Sequence, residues 1–369
     1  MPTMIPPHAR RAPAAAAVAL ATVLAACGGA PAPGTAAPAS PPSELWHTAA
    51  PTEKHIGRIR QLTVGGNAAE AYFSRDGRRL IFQWQREVDK GCDQEYVMNI
   101  DGSGQRRVST GTGRTTCGFF YEGDRRIWFS SSHEAGAECP ADPDRSKGYV
   151  WPLNPLHIYT ARPDGSDLRR LTTAGRYNAE GTLSPDGTRL LFTSDRDGDL
   201  EIYSMKVDGT DVRRLTNRVG YDGGPFYSPD GKRIVWRAWY PPTAKDSAEY
   251  LSLLGERLVK PSRMELWVAN ADGSEPRQVT NLGGANFAPF FHPDGKRIIF
   301  SSNHRNPRSR NFDLFLVNVD GTGLEQVTDD PEFDGFPMFS PDGKKLVWAS
   351  NRTGKTPGET NVLVADWTD

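Results

Sequence analysis

Phe339-Ser340-Pro341-Asp342-Gly343-Lys344-Lys345-Leu346-Val347-Trp348 holds a strand end, a turn and a strand start within ten residues. Asp and Gly tolerate the backbone conformations that tight turns demand, and Leu-Val-Trp opens an apolar strand. The string recurs upstream with small changes. Its Asp-Gly falls at Asp76, Asp186, Asp230, Asp294 and Asp342, with Gly123-Asp124 as a degenerate copy. A second Asp-Gly series falls at Asp101, Asp164, Asp208, Asp272 and Asp320, most of them followed by a short stretch ending in Leu-Thr or Val-Thr. Each unit reads as a four-stranded meander. The second turns lie 63, 44, 64 and 48 residues apart, the period of propeller blades carrying insertions.

The sixth unit supplies three strands, ending in Asn361-Val362-Leu363-Val364. Arg60-Gln61-Leu62-Thr63 matches Arg169-Arg170-Leu171-Thr172 and Arg213-Arg214-Leu215-Thr216. This N-terminal strand is expected to complete the last blade, which removes two exposed sheet edges at once. The expected fold over residues 58–369 is all-β: a six-bladed β-propeller of four-stranded antiparallel blades, closed by the N-terminal strand.

The string 339–348, together with Ser194-Asp195-Arg196-Asp197-Gly198-Asp199-Leu200-Glu201-Ile202-Tyr203, resembles the WD40-like repeats of TolB-type β-propellers, across residues 58–367. The resemblance implies a non-catalytic, periplasmic, protein-binding propeller. The type member of that family carries a separate N-terminal α/β domain, and this chain has a Pro-rich stretch in its place.

At the N-terminus, Arg10 and Arg11 precede an Ala-rich apolar run that closes on Leu24-Ala25-Ala26-Cys27-Gly28. Residues 1–26 read as a secretory signal, and the small residues before Cys27 resemble a bacterial lipobox, in which the Cys is diacylated and becomes the mature N-terminus. Residues 27–57 are rich in Pro, Ala and Gly and read as a tether from that anchor. Gly28 rather than Asp after the lipidated Cys implies an outer membrane location facing the periplasm in a two-membrane cell, and otherwise the cell surface. Contact with the membrane is expected through the lipid alone.

The chain has 44 Lys+Arg against 45 Asp+Glu in 369 residues. That balance gives no basic footprint for a nucleic acid backbone, so no nucleic acid partner is expected. The mean hydropathy of −0.56 speaks against a polytopic membrane protein. No GxSxG, HExxH or phosphate-cradling glycine loop is present in the sequence.

The loops joining the fourth strand to the next blade, and the second strand to the third, share one face, and the unusual residues gather there. Cys92, Cys117 and Cys139 leave an odd thiol once Cys27 is lipidated. One disulfide and one spare thiol is one reading, with Cys117 paired to either of the others as the easiest geometry. A structural-zinc-type site of Cys92, Cys117, Cys139 and His133 is the other. His133 and His304 occupy a register position that Arg86, Arg196, Tyr240 and Arg352 fill elsewhere, which reads as a repeated structural donor. Asp195, Asp197 and Asp199 alternate like a Ca²⁺ loop, but Gly198 comes too early for that pattern, and a hairpin explains the same residues.

On the innermost strand, aligned on Ser74, Ser184, Ser228, His292 and Ser340, the position six residues earlier holds Asn178, Asp222, Asn286 and Asp334. The position four residues earlier holds Glu70 and Glu180, with Cys117 in the same place. Shared strand parity predicts that these side chains form an acidic ring at the mouth of the central channel, binding a divalent cation (Ca²⁺ or Zn²⁺) or a basic partner segment. The alternative is that they cap strand ends and bond neighbouring blades. Residues 134–155 and 241–261 are insertions on that face. Tyr250, Leu254 and Leu258, with Leu251 beside them, predict a short amphipathic helix over the channel.

Together these features describe a lipid-anchored, non-catalytic envelope propeller that binds a protein or peptide through its loop face and channel. Its alternatives are a metal-dependent carbohydrate-active or glycan-binding propeller and a structural envelope scaffold.

Overall fold

The computed structural model describes residues 45–89 and 91–369, so the signal and Cys27 lie outside the described residues. Six antiparallel sheets make the six blades of a propeller. Blade one runs Asn67–Phe73, Arg79–Gln85, Asp93–Asn99 and Arg106–Arg107 from the axis outward. The inner strands of the other blades are Thr115–Tyr121, Asn178–Leu183, Tyr221–Tyr227, Asn286–Phe291 and Asp334–Phe339. Blade six takes its fourth strand from the N-terminal side, where Ile56–Gln61 pairs with Asn361–Trp367 and sets Arg60 opposite Val364. Trp46–His47 adds a fifth strand outside it.

The turn chemistry explains why the repeat reads so clearly. Ser340 Oγ donates to Asp342 Oδ1 at 2.6 Å and accepts from the Lys345 amide at 3.0 Å, while Gly343 turns the chain at φ +70°. Ser74, Ser184 and Ser228 make the same bond to Asp76, Asp186 and Asp230. In the degenerate blade two, the Asp124 carboxylate instead accepts from the amides of Arg75 and Asp76 and so ties this turn to blade one. Between blades, Phe82, Phe129, Phe192, Trp236, Phe300 and Trp348 hold one register position of the second strand and are 1% exposed or less. Burying such a ring stabilises the fold by roughly 2–3 kcal/mol, so this layer fixes the blades against one another.

Every inner strand breaks register once, as between Ala69 and Tyr72 or between Gly223 and Phe226. At each break one residue takes a left-handed backbone conformation: Glu70, Cys117, Glu180, Gly224, Ala288 and Phe336, with φ between +50° and +61°. A β-bulge inserts one residue and so reverses side-chain parity beyond it. This single device decides what faces the axis.

The insertions pack on the rim. A helix, Ala244–Gly255, is capped by Thr243, whose side chain accepts from the Asp246 amide, and it buries Tyr250, Leu253 and Leu254. Tyr250 and Leu254 pack with Leu153, Leu200 and Tyr221, Leu253 packs with Val150 and Leu258, and no residue of the helix lines the central cavity. Leu251 is 50% exposed. Leu258 falls beyond the helix, because the chain turns at Arg257 with φ +64° and enters a short strand, Leu258–Val259, that pairs with Trp151–Pro152 of the other insertion. The sequence therefore anticipates the helix but carries its C-terminal end past Gly255 to Leu258, and it expects the helix over the channel, where it does not lie. Among the described residues no helix is long and apolar enough to cross a membrane.

Candidate functional site

The centre of the ring is a cavity of about 1290 Å³ that opens on the face carrying both insertions. Its floor is an aromatic layer on the inner strands, two residues past the bulge. Tyr72 lies 5.5 Å from Phe119 and 5.9 Å from Phe226, which lies 5.1 Å from Phe290 (centroid distances). The six bulge residues stand in the wall above this layer, and all six line the cavity.

The wall has two unlike halves. Blades one to three contribute Glu70, Cys117 and Glu180. From blade four, Arg237 reaches across Gly224 to pair with Glu180 and also donates to the Tyr221 hydroxyl at 2.7 Å. Glu180 Oε2 further accepts from the Thr193 hydroxyl and the Gly224 amide, at 2.6 and 2.8 Å. Burial would lower the Arg237 pKa, but the Glu180 carboxylate reverses this and holds the guanidinium charged. Asp93 pairs with Arg114 at 3.1 Å. Glu70 has no cation of this kind. Burial pushes its carboxyl up to about 7, opposed by a hydrogen bond with Cys117 and reinforced by the charge of Glu180. Burial, followed by the charges of Glu70 and Glu180, raises the Cys117 thiol well above its ordinary value. Behind this wall Glu95 is fully buried and also raised, chiefly by burial and then by Glu70; one of its oxygens accepts from the Gly118 amide at 3.1 Å.

The opposite half, from blades five and six, carries a phenylalanine cluster, and Asn303, Arg308 and Arg310 of the blade-five loop line the cavity beside it. Phe287 lies 5.0 Å from Phe312 and 5.3 Å from Phe336, and Phe333 lies 5.8 Å from Phe312 (centroid distances). Ala285 and Ala288 fill the space beside them. At the mouth the paired insertion strands carry Trp151, and just before it stands the 61%-exposed Tyr149, whose hydroxyl accepts from the Trp151 indole at 3.1 Å.

The expected six-residue acidic ring divides in two. Glu70 and Glu180 reach the cavity. Asn178, Asp222, Asn286 and Asp334 are fully buried between strands. Asn178 accepts from Ser194 at 2.8 Å, Asn286 from Ser302 at 2.6 Å, and Asp334 from the Trp348 indole at 2.9 Å. Asp222 accepts from the Trp236 indole at 2.5 Å and from Tyr240 at 2.6 Å. The bulge between the two positions is the reason, since it breaks the parity on which the ring was expected. The four deeper residues bond first strand to second within a blade.

Cys92 and Cys139 form a disulfide that ties a loop of blade one to the insertion of blade two, with Cα atoms 5.5 Å apart. Cys117 is a free, buried thiol in the channel wall. The pairing therefore differs from the expectation that Cys117 bonds most easily, because its bulge turns the side chain to the axis. His133 bonds Ser131 at 2.9 Å and packs on Tyr159; His304 repeats this with Ser302 and Phe315. Asp195 accepts from the amides of Arg176 and Tyr177 and pairs with Arg257, Asp197 accepts from Tyr203, and Asp199 accepts from Tyr250 and the Gly220 amide. Their oxygens are thus committed to three separate networks. Among the described residues no group of three or more His, Cys, Asp or Glu is arranged to hold a metal ion.

Sequence reasoning missed Arg237 and the phenylalanine wall. The adjacent pair Gly223-Gly224 inside a strand was the available signal for Arg237, since glycine in a strand marks a bulge or a close approach. The four Phe residues come from the inner strands of two neighbouring blades and from two loops, and no local pattern joins them.

The TolB beta propeller domain family matches residues 154–240 and 258–357, about half of the chain. No curated protein matches. Among solved structures, a putative TolB from Agrobacterium tumefaciens is similar at 19% identity and a TM-score of 0.54, covering 84% of this chain and 97% of that one. An oligogalacturonate lyase in complex with manganese follows at 15% and 0.50, covering 88% and 96%. A gluconolactonase from Xanthomonas campestris has 12% and 0.55, covering 85% and 91%. At such identities the likeness is one of fold, shared by proteins of different activity. The matched repeats and the six-bladed ring place this chain in the TolB β-propeller domain family.

Proposed function

We propose that this chain is an exported lipoprotein, anchored through Cys27, that binds a segment of an envelope protein in its central cavity. One observation carries the reading: the cavity is floored by aromatic rings, opens on the face of the insertions, and sets an ionisable wall against a phenylalanine cluster. A site of about 1290 Å³ accommodates several residues of peptide and offers an apolar anchor and polar registration together. The Pro-rich stretch before Trp46, with no composition for a core, would give the propeller reach from the membrane, while Trp46–His47, Glu53 and Ile56 of the expected tether belong to the propeller.

Photo-cross-linking tests this in intact cells. A photoreactive residue replacing the exposed Tyr149 is expected to capture one discrete protein band. The band should disappear when Phe336→Asp places a charge in the apolar wall of an otherwise folded protein. A band indifferent to Phe336→Asp, or none, defeats the reading. Radiolabelled palmitate incorporated by the wild type and lost in Cys27→Ala checks the anchor.

A further inference from the structure

We propose that the occupant is a peptide presenting a basic side chain, lysine or arginine, beside a large apolar one, with the basic group against Glu70 and the apolar group on the wall of Phe287, Phe312, Phe333 and Phe336. This rests on the peptide-binding reading above.

The first argument is conformational. Glu70, Cys117 and Glu180 hold φ of +50°, +57° and +60°. The left-handed region is unfavourable for residues with a Cβ, and in these three blades the bulge directs an ionisable side chain to the axis.

The second is charge balance. The groups facing Glu70 are Cys117, Glu180, Arg237, Asp93, Glu95 and Tyr72. Two of the carboxylates have their own cation, Glu180 with Arg237 and Asp93 with Arg114. Glu95 sits behind the wall on the Gly118 amide. Glu70 lines the cavity and makes no ion pair within 4.0 Å among the described residues, Arg308 and Arg310 of the same cavity included. A cation from outside supplies the missing partner. Tyr72 and Tyr177 line the same half, and their rings favour a cation that has left water.

The third argument separates a peptide from a free amine. A polyamine would satisfy Glu70 but leave four phenylalanines in contact with water. Only a ligand carrying apolar and basic groups together covers both halves.

The test is selection of a library of N-acetylated, C-amidated pentapeptides on the full-length mature protein, followed by calorimetry. Peptides with Lys or Arg within three residues of an aromatic or large aliphatic residue are expected to enrich. Replacing that Lys by norleucine, or Arg by citrulline, should weaken binding about tenfold or more, as loss of a charge-assisted contact does. The same replacement should cost less than about twofold in Glu70→Gln, since a contact already lost is not lost twice. The isostere comparison on the wild type needs no variant to fold, and the melting profile of Glu70→Gln checks the second arm. Equal losses in wild type and Glu70→Gln overturn the proposal. Spermidine binding as tightly as the enriched peptide overturns it too, in favour of a free amine. Peptides that enrich without a basic residue and depend on Phe336 sink this inference but leave the peptide-binding reading standing. Failure to enrich any peptide whose binding is lost in Phe336→Asp sinks both.

Discussion

Gly224 lies directly under the guanidinium of Arg237: a Cβ built on it would stand 2.0 Å from Nη1. The glycine also sits at φ +61°, so it serves twice, as the bulge residue of blade four and as the gap through which Arg237 reaches Glu180. Gly224→Ala is therefore expected to destabilise the protein by about 3 kcal/mol, combining backbone strain with displacement of a buried ion pair. Urea denaturation measures this. A loss below about 0.5 kcal/mol would mean that Arg237 has an alternative route to its partner.

Ring closure offers a second prediction. Arg352 pairs with Asp334 on the first strand of blade six and, at 2.8 Å, with Glu53 just before the closing strand; neither carboxylate side chain is exposed. Arg352→Met strands two buried carboxylates and should cost about 3–5 kcal/mol. Adding Asp334→Asn and Glu53→Gln to Arg352→Met should recover most of that loss, which separates charge burial from loss of packing.

The fold was legible because its turns are chemically explicit. Ser340, Asp342 and Gly343 each make a bond or angle that few other residues make, and blades one, three and four repeat the solution closely enough to count. The closing strand was legible for the same reason, in the recurrence of Arg-x-Leu-Thr. The site was legible only in part. The bulge position reads Glu70, Cys117, Glu180, Gly224, Ala288 and Phe336 around the ring, with one glycine among six to announce a left-handed backbone. Alternation was carried through it, and Asp222 and Asp334 were placed on the axis when they face a neighbouring indole. The same lack of consensus is informative in hindsight. The backbone requirement is identical in all six blades while the side chain is free to vary, which is what a ring of ligand-facing positions looks like.

The cysteines give a direct count. Mature protein denatured without reductant is expected to take up one alkyl group, at Cys117, if Cys27 carries its lipid; after reduction it should take up three. In the native state at pH 8 Cys117 should react far more slowly than a free thiol, because burial and the nearby Glu70 and Glu180 disfavour the reactive thiolate. Intact-mass spectrometry reads all three states. Native labelling at the rate of glutathione would place Cys117 outside the wall described here.

The last prediction concerns the cost of Glu70. Burial pushes its carboxyl from an ordinary value of 4.5 up to about 7 in the folded protein. Between those two values the folded state holds a proton that the unfolded chain has released, so the contribution of Glu70 to stability declines as pH rises through this window and stays low above it. Glu70→Gln removes the titration and keeps the shape. The variant should be more stable than the wild type by about 1–3 kcal/mol at pH 8, with the gap closing by pH 4.5. Asp313 is also raised to about 7, so the wild-type profile alone will not isolate the effect, whereas the difference between the two proteins does. A basic peptide bound at Glu70 should narrow the gap at pH 8, since it stabilises only the folded wild type to that extent. A side chain that destabilises the empty protein and is relieved by its ligand is the mark of a binding group. No gap at pH 8 would instead mean that Glu70 is well solvated and carries no such tension.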